Sequence, residues 1–350
     1  MQIRLQSFTV SKRFALTISR GTTSGSVNLF VRVEDGGIEG WGEASGFSIG
    51  DHEQDIQRIS RSLQRVAPLL AAHSPLERDR IHQVMRQANV PSAARSAIDL
   101  ALYDWMGKKA LLPLWQIWGL ERERIVPISV TIGINTPEGA AQRVRDWLGL
   151  DPEIQTLKVK LGSPLGIEAD QAMLEAVRAA APHIQKMSVD ANGGWALEDA
   201  IAMSYWLADR GITYLEQPLN RADEASFLPL YKQSPLPIFA DESCFDCGDV
   251  VRLGDRIHGI NIKLNKCGGL TEALSMIRTA RSLGLGVMFG CYSDTVLMNT
   301  ALAHLAPLAD HLDLDSHLNL KDDPFEGAIF QHGKLIPTER PGLGVVKRGG

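Results

Sequence analysis

The sequence holds no apolar run approaching the roughly 18 residues that a membrane-crossing helix requires. It has no basic excess either: lysine plus arginine number 36 against 41 acids, a formal net charge of −5, which argues against a nucleic-acid-binding face. Cysteine is scarce, four in 350 residues and all in the second half (Cys244, Cys247, Cys267, Cys291), too few for a disulfide scaffold. The start, Met1-Gln2-Ile3-Arg4, lacks the charged-then-apolar layout of a secretory leader. No G-x-G-x-x-G follows a first strand, which removes the fingerprint of a dinucleotide-binding open sheet. These absences predict a soluble, cytoplasmic protein that engages neither nucleic acid nor membrane. The remaining composition, 44% apolar and 22% charged, is that of a globular chain, with a length for roughly two domains.

Two rhythms divide the chain. Residues 27–33 alternate about one buried face, Asp35-Gly36-Gly37 makes a hairpin turn, and 38–43 continue as a strand. Helical spacing then takes over, through Ile56, Ile59, Leu63, Val66, Leu69 and Leu70, and again through Ala94, Ile98, Ala101, Leu102 and Trp105. Strands followed by helices predict an α+β layer. Beyond Arg124, strand and helix alternate. Strands are predicted over 127–132, 156–161, 186–190, 213–216, 238–241, 259–264, 286–290 and 311–315, with helices between them at 167–181 and 270–283 among others. Eight such units, starting roughly 21 to 30 residues apart, match the order of a TIM-type barrel.

Functional groups of such a barrel sit where its strands end. Here six of the eight strands end in charge: Lys158-Val159-Lys160, Asp190-Ala191-Asn192, Glu216-Gln217-Pro218, Asp241-Glu242-Ser243, Lys263-Leu264-Asn265 and Asp313-Leu314-Asp315. A single charged strand end is ordinarily a solvated rim residue; six converge on one cavity. Asp190, Glu216 and Asp241 come from adjacent strands. Their repulsion raises at least one pKa unless a cation sits between them. An all-oxygen donor set selects a hard ion, Mg²⁺ with Mn²⁺ as substitute. Lys160 and Lys263 flank the trio in chain order, on strands that a closed sheet places nearly opposite one another. A metal-bound carboxylate can stabilise the enediolate left when an α-proton departs. One lysine can remove that proton and the other return one on the opposite face. Lys158, as a neighbouring cation, would lower the basic lysine's pKa.

These residues carry a family resemblance. Lys158-Val159-Lys160, Ser188-Val189-Asp190-Ala191-Asn192, Leu215-Glu216-Gln217-Pro218, Ala240-Asp241-Glu242-Ser243, and Asn261-Ile262-Lys263 with Gly268-Gly269-Leu270-Thr271-Glu272-Ala273 resemble the enolase superfamily, muconate-lactonizing subgroup, over almost the whole chain. The resemblance implies a modified TIM barrel (β/α)₇β over 123–319, covered by an α+β capping domain of residues 1–122 to which the tail, 320–350, returns. It implies Lys160 and Lys263 as catalytic bases and Asp190, Glu216 and Asp241 as metal ligands. Large barrels commonly associate, and the leucines and tryptophans between Leu111 and Leu120 suit an interface, so a homo-oligomer is expected.

Asp313-Leu314-Asp315 is similar to the D-x-D pair of dipeptide epimerases, whose carboxylates hold the ammonium of the first residue. The activity implied is inversion of the α-carbon of a dipeptide's second residue by two-lysine 1,1-proton transfer. Lys158, Thr131, Arg20 and Thr295 are the further substrate-contacting candidates. Arg20 resembles the arginine that meets a glutamate side chain in Ala-Glu epimerases, and the loops 20–24 and 45–51 occupy places that close over the substrate. Two departures touch substrate preference: Cys291-Tyr292-Ser293-Asp294-Thr295 replaces a more usual Cys-Met-x-Glu-Ser, and Ser316 replaces a common glycine.

Within the same framework, an N-acylamino-acid racemase or a succinylbenzoate-synthase-like elimination is the enzyme alternative. A catalytically dead binding protein is the alternative of another class. Cys244-Phe245-Asp246-Cys247 lacks the second pair that a zinc site needs. His304 reads as a packed or capping histidine, His317 lies close enough to Asp315 to touch the site, and Trp195 reads as a lid on the barrel rim. Gly268-Gly269 precedes a helix and is either an anion cradle or a simple helix start.

Overall fold

A computed structural model of the chain describes residues 1–50, 52–184 and 186–349. The chain opens with an antiparallel meander, β1 (Gln2–Ile18), β2 (Gly21–Asp35) and β3 (Ile38–Ser45). Gly36 and Gly37 turn the β2–β3 hairpin at φ +57° and +76°, the two positive values that a two-residue type I′ turn requires. The expected one-sided alternation in β2 is not what forms. Leu29, Val31 and Val33 pack toward helices, but Asn28 and Phe30 on the other face are also buried. The chain's tail covers that second face, Phe325 lying 5.1 Å from Phe30 and 5.4 Å from Trp41, ring centroid to centroid.

Two short strands, β4 (Phe47–Ile49) and β5 (His52–Gln54), lead into α1 (Ile56–Ala71), α2 (Arg78–Gln87) and α3 (Ser92–Ala110). Asp55 caps α1, its carboxylate accepting the Arg58 N–H at 2.6 Å. β3 lies directly on α3. Side chains at Gly40 and Gly42 would bring a Cβ within 2.0 and 1.9 Å of the carbonyls of Ala101 and Ala97, so only glycine allows this approach.

The barrel strands are β6 (Ser129–Ile132), β7 (Thr156–Lys160), β8 (Lys186–Asp190), β9 (Leu215–Glu216), β10 (Ile238–Ala240), β11 (Gly259–Ile262), β12 (Gly286–Gly290) and β13 (His311–Asp313). All pair in parallel and in chain order. A parallel bridge between Ile128 and Leu312 brings the first strand back to the last and closes the sheet. The eight strands and intervening helices are the barrel that the sequence rhythm predicts, with strands shorter than expected by two residues at β6, β9, β11 and β13 and by one at β7 and β10. At β11 the chain leaves the sheet at Lys263 and turns at once into a helix, Leu264–Cys267.

The tail does not all return to the cap. Lys321 N–H donates to Ser11 O, and Phe325–Glu326 pairs with Val346–Lys347 beside the meander. Between them, the hairpin of Ile329–Gln331 and Lys334–Ile336 lies at the opposite end of the barrel, where Ile128 N–H donates to Gly333 O at 2.8 Å. Of the stretch expected to suit an interface, Leu114 is buried and Leu111 exposed. No helix among the described residues is long and apolar enough to cross a membrane.

Candidate active site

Strand register assembles the acidic trio. Lys160 lies opposite Asp190, and Asp190 opposite Glu216, so three successive strands present them at one level. Asp241 follows β10 immediately, its N–H held by Gln217 Oε1 at 2.9 Å. Asp190, Glu216 and Asp241 are fully buried, with one oxygen from each lying within 4.8 Å of the others. Burial, reinforced by Asp190 and opposed by Lys158, pushes the Glu216 carboxyl up to about 8. Asp190 and Asp241 are held below the usual carboxylate range: lysines on each outweigh the effect of burial. Burial is the larger cause of the Glu216 rise, and repulsion from its neighbours in the trio adds to it.

Each member is contacted by a lysine. Lys160 Nζ donates to Asp190 Oδ2 at 2.6 Å, and Lys263 Nζ to Asp241 Oδ2 at 2.7 Å. The two lysines therefore approach the trio from its two ends, β7 and the end of β11. Lys158 corrects its expected role. Rather than standing as a bare cation beside Lys160, it is wholly buried beneath the site, 2.7 Å from Glu216 Oε2, 2.7 Å from Asp313 Oδ2 and 3.1 Å from Asp190 Oδ2. Burial would lower its pKa, but Asp313, Glu216 and Asp190 together outweigh burial and hold it well above the ordinary value.

A fourth cation escaped the sequence reading. Lys266 Nζ donates to Asp241 Oδ1 at 2.6 Å and to the carbonyls of Cys244 and Asn261. The two oxygens of Asp241 are thus divided between Lys263 and Lys266. The spacing Lys263-x-x-Lys266 was the available signal, because a helical turn after Lys263 returns residue 266 to the same side.

The two acids at the end of β13 differ in surroundings. Asp313 is engaged by Lys158 and by the hydroxyls of Ser129 and Thr131, each at 3.2 Å. Asp315 accepts the Thr131 N–H at 2.7 Å and has no lysine or arginine in contact among the described residues. Burial and then Asp313 push its carboxyl up to about 6. Thr131 therefore positions both acids, using its hydroxyl on one and its backbone on the other.

The cap closes over the mouth. The long β1–β2 hairpin carries Arg20 at its tip, where Nη1 lies 2.7 Å from Glu242 Oε1 and 3.1 Å from the Asn192 carbonyl. Arg20 is thus engaged by the residue that follows Asp241, and the pair borders a cavity of about 650 Å³ that Ile49, Gly50, Asn192 and Arg221 also line. Asp51, at the end of the second expected closing loop, lies outside the described residues.

Thr295 corrects its expected role too. It caps the helix Val296–Leu305, its hydroxyl donates to Glu43 Oε2 at 2.6 Å, and it is fully buried. Glu43, at the end of β3, also accepts from the Asn28 amide and from the N–H groups of Thr295 and Met298. Beside it, Asp294 accepts from Ser45 Oγ at 2.5 Å and Asn265 Nδ2 at 3.1 Å. This network bolts the cap to the loops that leave β11 and β12, and nothing in the residue pattern announced Glu43.

The remaining signals resolve simply. Trp195 is no lid: it is buried, and its indole N–H donates to Asp170 at 2.9 Å. His304 is packed between Trp115 N–H and the Leu343 carbonyl, and His317 is turned toward Asn299. The helix start at Gly268-Gly269 is taken by the chain's own Asp99, which accepts from Thr271 N–H at 3.0 Å and the Thr271 hydroxyl at 2.7 Å. All four cysteines are free thiols.

Three buried carboxylates with oxygens converging this closely fit a hard divalent cation, and among the described residues no histidine or cysteine shares the cluster. Comparison with known proteins agrees with this architecture. Residues 3–119 match the family described as mandelate racemase / muconate lactonizing enzyme, N-terminal domain, and residues 139–348 match the enolase C-terminal domain-like family. The chain is 43% identical over 347 residues to a hydrophobic dipeptide epimerase of a Flavobacteria bacterium, covering 98% of this chain and 97% of the relative. It is 42% identical over 350 residues to a hydrophobic dipeptide epimerase of Roseobacter litoralis, covering 99% of each. Among solved structures it is similar to a dipeptide epimerase from Enterococcus faecalis complexed with Mg and the dipeptide L-Leu-L-Tyr, with TM-score 0.91, 33% identity and 98% of each chain covered.

Proposed function

The chain belongs to the mandelate racemase / muconate lactonizing enzyme family of the enolase superfamily, and from that premise we propose that it is a Mg²⁺-dependent dipeptide epimerase, inverting the α-carbon of a dipeptide's second residue by proton transfer between Lys160 and Lys263. The observation that carries the reading is the pair of lysines held at opposite ends of one buried acidic trio, each on its own carboxylate. In this reading the barrel of 123–319 is catalytic, and the cap of 1–122 with the returning tail closes over it.

Asp190, Glu216 and Asp241 would hold the ion. When bound, Mg²⁺ supplies Lewis-acid neutralisation of the charge that develops on the substrate's carboxylate as its α-proton leaves. The chain's own residues do the rest. One lysine takes the α-proton from one face and the other delivers a proton to the opposite face, which reverses the configuration. Lys266 and Gln217 fix Asp241, and Lys158 ties Glu216 and Asp190 to Asp313, so the reacting groups are held before substrate arrives.

Asp315, buried and in contact with no lysine or arginine among the described residues, is suited to the ammonium of the first residue. That requirement favours a dipeptide over an N-acylated amino acid, which has no ammonium to offer. Arg20, engaged by Glu242, is not presented to an acidic side chain. This supports an uncharged second residue, in keeping with the hydrophobic dipeptide epimerases that the chain resembles.

The test is a dipeptide library incubated with the protein and Mg²⁺ in D₂O and read by mass. A gain of one deuterium confined to dipeptides with free amines and apolar second residues is expected. Label entering N-acylated amino acids while free dipeptides stay silent would overturn the assignment of Asp315.

A further inference from the structure

Tyr292 stands two residues beyond β12, on a turn closed by its own N–H donating to Asp294 Oδ2 at 2.9 Å. That turn does not float. Asp294 is tied to Ser45 and Asn265, and the Ser293 carbonyl accepts from Asn28 at 2.8 Å, so cap and barrel together fix the ring's position. The Lys263 ammonium lies over the ring, 4.6 Å from its centroid. The same ring is stacked parallel to Phe47 of β4 at 5.2 Å, and Phe47 in turn meets Phe245, which follows Asp241 by four residues. An aromatic wall therefore runs from the lysine across to the cap.

The ring alone would serve as wall and as a seat for the cation. Its hydroxyl is the part that packing leaves unexplained. Tyr292 Oη is shielded from solvent and has no hydrogen-bond partner among the described residues. An unpaired buried hydroxyl destabilises the folded chain, and phenylalanine would fill the same space without that penalty. A polar atom held unpaired beside a base lysine is suited to a partner that arrives with the substrate.

We propose that Tyr292 is a specificity-determining residue of this site: its ring is the wall against which the side chain of the epimerised residue packs, and its hydroxyl hydrogen-bonds the bound dipeptide. This rests on the dipeptide-epimerase reading and names a residue that determines which dipeptides are accepted. Bulky apolar second residues gain the most from the wall, because flat aromatic and branched aliphatic groups bury the most area against a fixed ring.

The experiment compares wild type, Tyr292→Phe and Tyr292→Met, each loaded with Mg²⁺, for steady-state epimerisation of dipeptides ending in Ala, Leu, Phe or Tyr, alongside melting temperatures without substrate. Removing only the hydroxyl is expected to raise KM about tenfold, with the loss falling on KM rather than kcat, and to leave the melting temperature equal to or above wild type. Removing the ring is expected to lower kcat/KM for Leu, Phe and Tyr dipeptides about tenfold more than for Ala dipeptides. Tyr292→Phe with unchanged KM and a lowered melting temperature would make Tyr292 a packing residue and overturn the proposal. A Tyr292→Met variant that loses all dipeptides in equal proportion would overturn the wall. A wild type inert toward every dipeptide would instead overturn the functional reading beneath it, and this assignment with it.

Discussion

Replacing Asp315 by asparagine should trade substrate binding for stability. Burial, and after it the neighbouring Asp313, raises the Asp315 carboxyl from 3.8 to about 6. An acid whose folded pKa lies above its unfolded value binds protons more tightly when folded. The folded state therefore loses stability as pH climbs from about 4 through about 6, and the full penalty is present at pH 8. A rise of that size corresponds to about 3 kcal/mol. Asparagine keeps an oxygen able to accept the Thr131 N–H and carries no charge to bury. With an unfolding entropy of about 2.1 cal/mol/K per residue, the substrate-free variant should melt about 4 °C higher at pH 8, and within a degree of wild type at pH 4.

Substrate should pull the other way. Losing a charge-assisted bond to the dipeptide's ammonium costs about 1.5–3 kcal/mol, so KM should rise roughly 10- to 150-fold. N-acetylated dipeptides, which lack the ammonium, supply the control: wild type should discriminate strongly against them, and Asp315→Asn should not. Melting curves at pH 4 and 8, with kinetics on both substrate forms, make the assay. A variant that melts lower at pH 8 and keeps wild-type preference for the free amine would refute the reasoning.

Two further perturbations probe the frame. Glu43, raised to about 8 by burial and by Asp294, makes wild-type stability fall as pH rises from 4.5 through 8. Glu43→Gln should flatten that slope in melting scans between pH 5 and 9, although it is less stable than wild type at pH 5. Lys266→Met breaks a buried ion pair at Asp241 and should cost about 3–5 kcal/mol, or about 4–7 °C in melting temperature. Added Mg²⁺ should restore part of that loss, since a cation then returns to Asp241; melting with and without Mg²⁺ decides it, and an unshifted melting temperature would refute Lys266 as the partner of Asp241.

Strand ends were readable because a barrel converts chain order into spatial order. Charges at the tips of β7, β8, β9, β10 and β11 had to meet, so Lys160, Asp190, Glu216, Asp241 and Lys263 could be named before any coordinates. Partners reached across the cap were not readable. Nothing in the pattern pairs Arg20 with Glu242, 222 positions away, or Thr295 with Glu43. Those contacts depend on how a 17-residue strand bends over the mouth, which period-2 alternation does not encode. Phe30 and Asn28 misled for the same reason: alternation assumes one wet face, and here the tail covers Phe30 while the loop after β12 covers Asn28. Lys158 misled through charge arithmetic, since a lysine beside a lysine suggests repulsion until three carboxylates are found around one of them.

The central claim is that Lys160 and Lys263 serve opposite faces of one α-carbon, and isotope exchange tests it most directly. Both epimers of a dipeptide that wild type turns over are incubated in D₂O and Mg²⁺ with Lys160→Ala and with Lys263→Ala. The account predicts reciprocal behaviour: each variant still exchanges the α-proton of one epimer, by the lysine it retains, and loses exchange of the other. Equal exchange of both epimers by either variant would contradict it.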